Sequence, residues 1–268
     1  MNDVVPRLPG GRKAEIAGYV NRMGQVTVTA LADHFGVSAD TIRRDLDQLD
    51  ADGLLIRVHG GAMSNSAVPW HDTNLTDRAR LQSSQKERIG KVAAGLVQDG
   101  NVLFINGGTT ALSLVHHLTD KRELIIATNN LALPVEINPE ACRDVYVIGG
   151  HVRLSGRVTI GPVAFASAIS GVENDIHVDL ALIGVGAVDV GGYSTSNLDE
   201  AAMLGQMAAR ARRVAILADS TKFDRRLFAA IGELAIADYL ITNEQPSAEL
   251  AAALSANSVQ VLTPDTPY

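Results

Sequence analysis

Residues 102–114 read VLFINGGTTALSL. A short run of branched and aromatic apolar residues makes a buried strand, two glycines permit a tight turn, and a helical pattern begins near Thr110. A strand that passes through glycines into a helix is the repeating unit of an α/β domain. The same turn suits an anion, because glycines let the backbone come close and the opening N–H groups and helix dipole favour negative charge. Thr109 and Thr110 add hydroxyl donors. A tight strand-to-helix turn with no ligand has the same appearance, so these residues alone leave the choice open.

Apolar runs alternate with helical ones on both sides of this stretch: LIIATN, VYVIGG, LALIGVG, VAILAD, YLIT and VQVL follow, with EAAMLGQMAARA among them. Short branched runs joined by helices predict a parallel sheet covered on both faces, an open α/β domain over residues 83–268. Ligands of such sheets bind at the carboxyl ends of the strands. Those ends carry Asn106, Gly107 and Gly108; Asn129 and Asn130; Gly149; and Asp219 followed by Lys222. A lysine there offers a point charge to a phosphate, and Asp219 can hold a hydroxyl or orient the lysine. The asparagines also suit plain turn chemistry. GVGAVD, near Gly184, lacks the third glycine of a dinucleotide fingerprint and reads as strand-end packing.

Residues 13–63 have a different texture. GRKAEIAGYVNRMG sets Ile16, Val20 and Met23 at helical spacing, TALADHFG offers Thr29 as the cap of a second short helix, and Ser38 caps a third carrying Ile42, Leu46 and Leu49 inward. Two helices joined through FGVS form a helix-turn-helix pattern. With that face buried, Asp40, Arg44 and Asp47 point outward and Thr41 and Arg43 flank them. Arg43 and Arg44 can make paired hydrogen bonds to guanine or grip phosphate, and Ser38 and Thr41 can hold backbone phosphates. A plain three-helix bundle with a solvated arginine face has the same pattern, and Asp47 works against DNA binding. LLIRVHGGA follows as an edge strand with two glycines suited to a turn. Residues 1–12 read as a flexible start, and 64–82, which contain Trp70, as a linker.

The 268 residues suit a small module beside a larger core, and 46% hydrophobic with 20% charged residues is ordinary for a folded soluble protein. The net charge of −7 argues against nonspecific coating of nucleic acid or anionic lipid. Residues 1–63 hold 7 basic against 8 acidic residues, so the acidic excess sits mostly in the rest of the chain. One cysteine, Cys142, excludes an intrachain disulfide and fits a reducing compartment; with no signal-peptide core and no long apolar run, a cytoplasmic protein without a membrane contact is expected. Neither a nucleophile elbow, a phosphate-loop lysine motif nor clustered metal ligands is present, and adjacent His116 and His117 point to different sides of a helix. No cofactor is expected.

The segment ALADHFGVSADTIRRDLDQLDADGLLIRVHGGA, residues 30–62, with VS, TIRRDL and HGGA in that order, resembles the N-terminal signature of the DeoR family of bacterial transcriptional regulators. GTT, TNN, IGG, GYST, NLDEA and DSTKF continue the resemblance, which spans roughly residues 13–242. The resemblance implies a winged helix-turn-helix followed by a sugar-phosphate sensor domain similar to ribose-5-phosphate isomerases and CoA transferases. It implies a homo-oligomeric repressor on double-stranded operator DNA, released by a phosphorylated sugar. The wing residues Arg57, His59 and Gly60 would lie beside the DNA backbone or in the minor groove, and Gly107 to Thr110 with Lys222 would contact phosphate, Asn129 nearby. Three positions depart from the family pattern: Asn106 stands for an aspartate, Gly107 for a small hydroxyl residue and Leu204 for a basic one. The competing reading is an isomerase-like enzyme with Asp199 or Glu200 as general base; those two acids equally suit the start of a helix.

Overall fold

The computed structural model of the chain describes residues 9–23, 25–51, 54–58, 60–63, 82–163 and 176–266. It divides into two units, Met1–Ser83 and Ser84–Tyr268. His59, Trp70 and residues 64–81 of the expected linker lie outside the described residues.

In the first unit, helix α1 (Pro9–Met23) begins four residues ahead of the expected start. Proline is well placed there, since its fixed φ suits a first helical turn that has no use for its missing N–H. Ile16 and Val20 are buried, but Met23, expected beside them, is exposed at the helix end. A short strand, β1 (Gln25–Thr27), leads straight into α2 (Val28–Phe35). The cap of α2 is therefore Thr27, not Thr29: the extended backbone arriving from β1 turns its hydroxyl toward Ala30 N–H, which donates at 3.2 Å. Gly36 ends α2 in the left-handed region. Helix α3 (Ala39–Ala51) starts where Ser38 Oγ accepts from Thr41 N–H at 3.2 Å. Its Ile42, Leu46 and Leu49 close one core with Ile16, Val20, Val28, Leu31, Leu55 and Ala62.

Strands β2 (Ile56–Val58) and β3 (Gly61–Met63) complete an antiparallel sheet in the order β1-β3-β2. β2 is the edge strand, as its alternation predicts. A Cβ on Gly61 would lie 2.2 Å from Val26 O, so glycine is what lets β3 close on β1. Three helices and this wing make a winged helix-turn-helix.

The second unit opens with α4 (Ser83–Gly95) and then follows β4 (Val102–Ile105), α5 (Thr109–Val115), β5 (Leu124–Thr128), α6 (Leu133–Glu136) and β6 (Cys142–Val147). After a hairpin, β7 (His151–Arg153) and β8 (Val158–Ile160), come β9 (Leu180–Gly184), β10 (Ala187–Asp189), β11 (Gly192–Thr195) and α7 (Leu198–Ala209). The unit ends with β12 (Val214–Leu217), β13 (Ala229–Gly232), β14 (Tyr239–Ile241), α8 (Ala248–Ala256) and β15 (Gln260–Leu262).

Seven strands form one parallel sheet in the order β15-β14-β12-β9-β4-β5-β6. The expected open α/β domain is present, and its central strands are buried because helices cover them. The chain starts the sheet at β4, runs outward to β6, and returns on the other side of β4 as β9. That reversal puts the topological switch point between β4 and β9, where the strand ends leave a crevice. Two pieces were not legible as separate elements in the sequence: the β7–β8 hairpin and the antiparallel sheet β10-β11-β13. Both are built from three- and four-residue strands.

Candidate functional site

Helix α3 presents an exposed face of Asp40, Arg43, Arg44 and Asp47. Most of its charge is already matched. Arg43 Nη1 donates to Asp40 Oδ1 at 2.5 Å. Arg57 Nε, from β2, donates to Asp47 Oδ1 at 2.8 Å, its Nη1 donates to Gly61 O at 3.3 Å, and its own N–H donates to Asp50 Oδ1 at 2.9 Å. Arg57 thus staples the wing to the recognition helix and neutralises the acid that weighed against DNA binding. Arg44 is exposed and makes no ion pair among the described residues. Ser38 Oγ and Thr41 Oγ1 lie 2.9 Å apart as a hydrogen-bonded hydroxyl pair at the helix start. Gly60 forms the turn of the wing with φ +81°, and its carbonyl accepts from Val28 N–H at 2.8 Å.

Beneath this face lies a pair that sequence reasoning missed. Asp45 is 5% exposed and accepts from Arg12 Nε at 2.7 Å, fastening α1 to α3. That hydrogen bond holds the Arg12 guanidinium still more firmly in its charged form. Position 45 shares the helical stripe of Ile42, Leu46 and Leu49, and an acid in a buried stripe needs a cationic partner; that was the available signal.

In the second unit every singled-out residue follows a carboxyl end of the parallel sheet, but they do not all meet. Asn106–Thr110 and Asn129–Asn130 leave the adjacent strands β4 and β5, with Gly149 just past β6. Asp219 and Lys222 follow β12, separated from β4 by β9, about 10 Å away at ordinary strand spacing.

Asn106, 1% exposed, spans the switch point. Its Nδ2 donates to Gly184 O at 2.8 Å and its Oδ1 accepts from Gly184 N–H at 2.7 Å. The amide imitates one more rung of the β4–β9 ladder. Asn129 is committed in the same way: Oδ1 accepts from Gly107 N–H at 2.7 Å and Nδ2 donates to Thr159 O at 2.8 Å. Asn130 accepts from Ala132 N–H at 3.0 Å, which fixes its amide orientation and leaves Nδ2 a buried donor without a partner.

Gly107 and Gly108 are glycines for different reasons. A Cβ on Gly107 would lie 2.1 Å from Val158 Cγ1, whereas a Cβ on Gly108 would meet nothing within 4 Å but would have to adopt φ +142°. Gly108 caps α5 with no side-chain hydrogen bond, so the first N–H groups of the helix have neither an intrahelical partner nor a side-chain cap. Thr109 is buried and Thr110 half-buried beside them. Uncapped backbone N–H groups at a glycine turn, with threonines beside them, are the kind of groups that can hold an anion.

Gly149 is exposed with open space around it; the tight position is Gly150, where a Cβ would lie 2.5 Å from Ile160 O. Asp219, 1% exposed, caps a single 3-10 turn (Ser220–Lys222) by accepting from Thr221 N–H at 3.1 Å and from the Thr221 hydroxyl. His116 Nε2 is hydrogen-bonded to Glu136 Oε2 at 2.9 Å, whereas His117 Nε2 lies 2.9 Å from Glu87 Oε1 without hydrogen-bond geometry, so the two rings face different carboxylates. No group of three metal-ligating side chains occurs among the described residues.

Glu200 opens α7, where Asn197 caps it by accepting from Glu200 N–H at 2.8 Å. Glu200 Oε2 accepts from Arg153 Nη2 at 2.8 Å and from Thr195 Oγ1 at 3.2 Å. Leu204, which stands where a basic residue was expected, is buried at 1% in the core. The cation beside Glu200 comes instead from β7. Three residues in a hairpin gave no periodicity by which to find Arg153.

A winged helix-turn-helix followed in the same chain by an α/β domain with an uncapped glycine turn at its switch point defines a class, the DNA-binding regulator with an appended sensor domain. Residues 12–68 match the DeoR-like helix-turn-helix domain and residues 81–244 the DeoR C terminal sensor domain. The chain belongs to the DeoR family of transcriptional regulators. It is 30% identical to the glycerol-3-phosphate regulon repressor of Escherichia coli (strain K12), over 92% of this chain and 95% of that protein. It is 31% identical to the HTH-type transcriptional regulator GlpR of Haloferax volcanii, over 95% of this chain and 98% of that one. Among solved structures, a ribose 5-phosphate isomerase from Plasmodium falciparum aligns with a TM-score of 0.37 and 10% identity, covering 52% of each chain. Among the described residues no helix is long and apolar enough to cross a membrane.

Proposed function

We propose that this chain represses a carbohydrate catabolic operon by binding double-stranded operator DNA through residues 13–63, and that a phosphorylated sugar held by residues 83–268 releases it. The observation that carries the reading is the pairing, in one chain, of an exposed recognition-helix arginine with no ion-pair partner among the described residues and a strand-to-helix turn whose opening N–H groups no side chain caps. Arg44 reads base edges in the major groove. Arg43 and the hydroxyls of Ser38 and Thr41 hold phosphates, and Arg57, His59 and Gly60 set the wing against the backbone.

In the sensor half, Gly107, Gly108, Thr109 and Thr110 receive the ligand's phosphate, with Lys222 supplying charge from across β9. Asn130 Nδ2 donates to the ligand. Asn106, Asn129, Gly149 and Asp219 shape the walls, the two asparagines by fixing strand ends and Asp219 by fixing the turn that carries Lys222. The protein works as a cytoplasmic homo-oligomer that presents two or more winged helices to repeated half-sites. Ligand shifts it toward the arrangement that does not bind DNA, which requires tighter ligand binding in that arrangement. It does not turn its ligand over.

A gel-shift titration on the DNA upstream of the chain's own gene, with and without a panel of phosphorylated sugars, tests this. Sequence-selective binding at moderate salt, abolished by one of the sugars, is expected; binding without sequence preference refutes the regulator reading. The Lys222→Ala variant is expected to keep DNA binding and lose release. An assay of aldose–ketose interconversion on phosphorylated pentoses and hexoses is expected to show no turnover.

A further inference from the structure

Arg153 is attached to this crevice by register as well as by its ion pair. In the β7–β8 hairpin it stands directly opposite Val158, and directly opposed residues of an antiparallel pair carry their side chains on the same face. Val158 occupies the space a side chain at Gly107 would need. The hairpin face that bears Arg153 is therefore the face laid against the phosphate-binding turn. Arg153 therefore stands on the same hairpin face as the residue that packs against Gly107, and its side chain is 30% exposed.

Its resting partner holds it loosely. Only Nη2 reaches Glu200, at 2.8 Å, and the same carboxylate oxygen is shared with the Thr195 hydroxyl. Among the described residues, Nε and Nη1 of Arg153 have no hydrogen-bond partner. The contrast within this unit is Arg226, which grips Asp189 with both Nε and Nη2, at 2.8 and 3.0 Å. A two-pronged pair of that kind is closed, whereas a single-pronged one leaves the planar fork able to meet a second oxyanion.

We propose that Arg153 is the ligand-selecting cation of the crevice: Glu200 holds it while the cradle is empty, and it moves to the anionic group of a ligand that fills the turn. This rests on the reading of the crevice as a site for a phosphorylated ligand. The exchange makes the site answer to anions, and it frees Glu200 at the start of α7 whenever the cradle is full. Ligand occupancy is thereby carried to a second helix of the unit.

Calorimetric titration of the full-length protein with inorganic phosphate, at fixed ionic strength, tests it through the signs of two effects. Arg153→Gln is expected to weaken phosphate binding about tenfold or more, the loss of a charge-assisted hydrogen bond. Glu200→Gln is expected to strengthen it, by roughly two- to fivefold, because the resting partner competes less well. The gain must vanish when Glu200→Gln is made in the Arg153→Gln background. Glu200→Asp, which withdraws the carboxylate by one carbon and keeps its charge, is expected to strengthen binding as well, and serves should Glu200→Gln fold poorly.

A purely structural latch predicts that both single variants weaken binding, and that result overturns the exchange. A gain from Glu200→Gln that persists without Arg153 is a field effect of the lost carboxylate and also overturns it. Wild-type protein that shows no saturable response to phosphate overturns the cradle reading itself, and the exchange with it.

Discussion

Replacing Gly107 by alanine tests how the turn after β4, the proposed phosphate site, is shaped. The added Cβ would lie 2.1 Å from Val158 Cγ1 and 3.2 Å from Val158 Cβ. Carbon atoms rest about 3.5–4.0 Å apart, so one of them has to move by about 1.5 Å. Neither moves easily. Val158 is 4% exposed, and a β-branched side chain is stiff about χ1. The hairpin cannot lift away either, because Thr159 N–H donates to Asn129 O at 2.9 Å and Asn129 Nδ2 donates to Thr159 O at 2.8 Å. The cost falls in the range of overpacking, about 1–3 kcal/mol. Val158→Ala alone removes two buried methyl groups and costs a similar amount, roughly 1–2.5 kcal/mol. The double variant gives the added methyl a vacated space, so its destabilisation is expected to be smaller than the sum by about 1–2 kcal/mol. Urea unfolding of the four proteins, with unchanged m values, measures the coupling. Additive effects refute the claim that Val158 is what makes position 107 a glycine.

Three further outcomes are expected. Arg44→Ala should lose roughly 1–3 kcal/mol of operator affinity with no change in melting temperature, and unchanged affinity in a gel-shift titration removes Arg44 from the base-reading role. The Cys142 thiol, pushed up to about 11 by burial from an ordinary value of 9.0, should be alkylated at pH 8 on the order of 100-fold more slowly in the native protein than in urea; equal rates under mass-spectrometric readout contradict this. The Asp189 carboxyl is held below its usual range, first by the hydrogen bond from Arg226 and further by N–H groups of Gly191 and Gly192, against the opposing effect of burial. A depressed native pKa gives stability that is present above the unfolded value and lost as pH falls through the native one. The stability gap between wild type and Asp189→Asn should thus close from about pH 5 downward, and a gap that is constant down to pH 2 refutes the pair's contribution.

The long, periodic features were readable from the residues. The stripe of Ile42, Leu46 and Leu49 is buried, Gly36 stops the preceding helix in the left-handed region, and the apolar runs became a parallel sheet. What escaped were pieces whose strands are three or four residues long, because period-2 alternation cannot declare itself over one or two repeats. The β7–β8 hairpin is the costly omission, since it supplies both Val158 against Gly107 and Arg153 against Glu200. The strand-end residues were recognised as a set, but the sequence could not apportion them. Whether an asparagine spends its amide on backbone or keeps it for a ligand depends on which carbonyl stands across the gap. For Asn106 that carbonyl belongs to Gly184, 78 positions along the chain.

The departure at position 106 has a physical meaning once that partner is known. Gly184 offers Asn106 both an N–H and a carbonyl, at 2.7 and 2.8 Å, and an amide answers both. An ionised aspartate there could accept from the N–H but would set its second oxygen against the carbonyl, in a site only 1% exposed. In this chain the floor of the crevice at the switch point is therefore closed by a neutral group. On the proposed reading an anion entering the turn would meet no carboxylate from β4, and Glu200, the acid that Arg153 of the hairpin reaches, already accepts from that arginine. On that reading the charge offered to a ligand would come from Arg153 and Lys222, because the strand-end residues Asn106 and Asn129 are committed to backbone partners. Such a division would suit a sensor, because strand ends held by backbone hydrogen bonds would keep the turn's shape while the cations answered to its occupant.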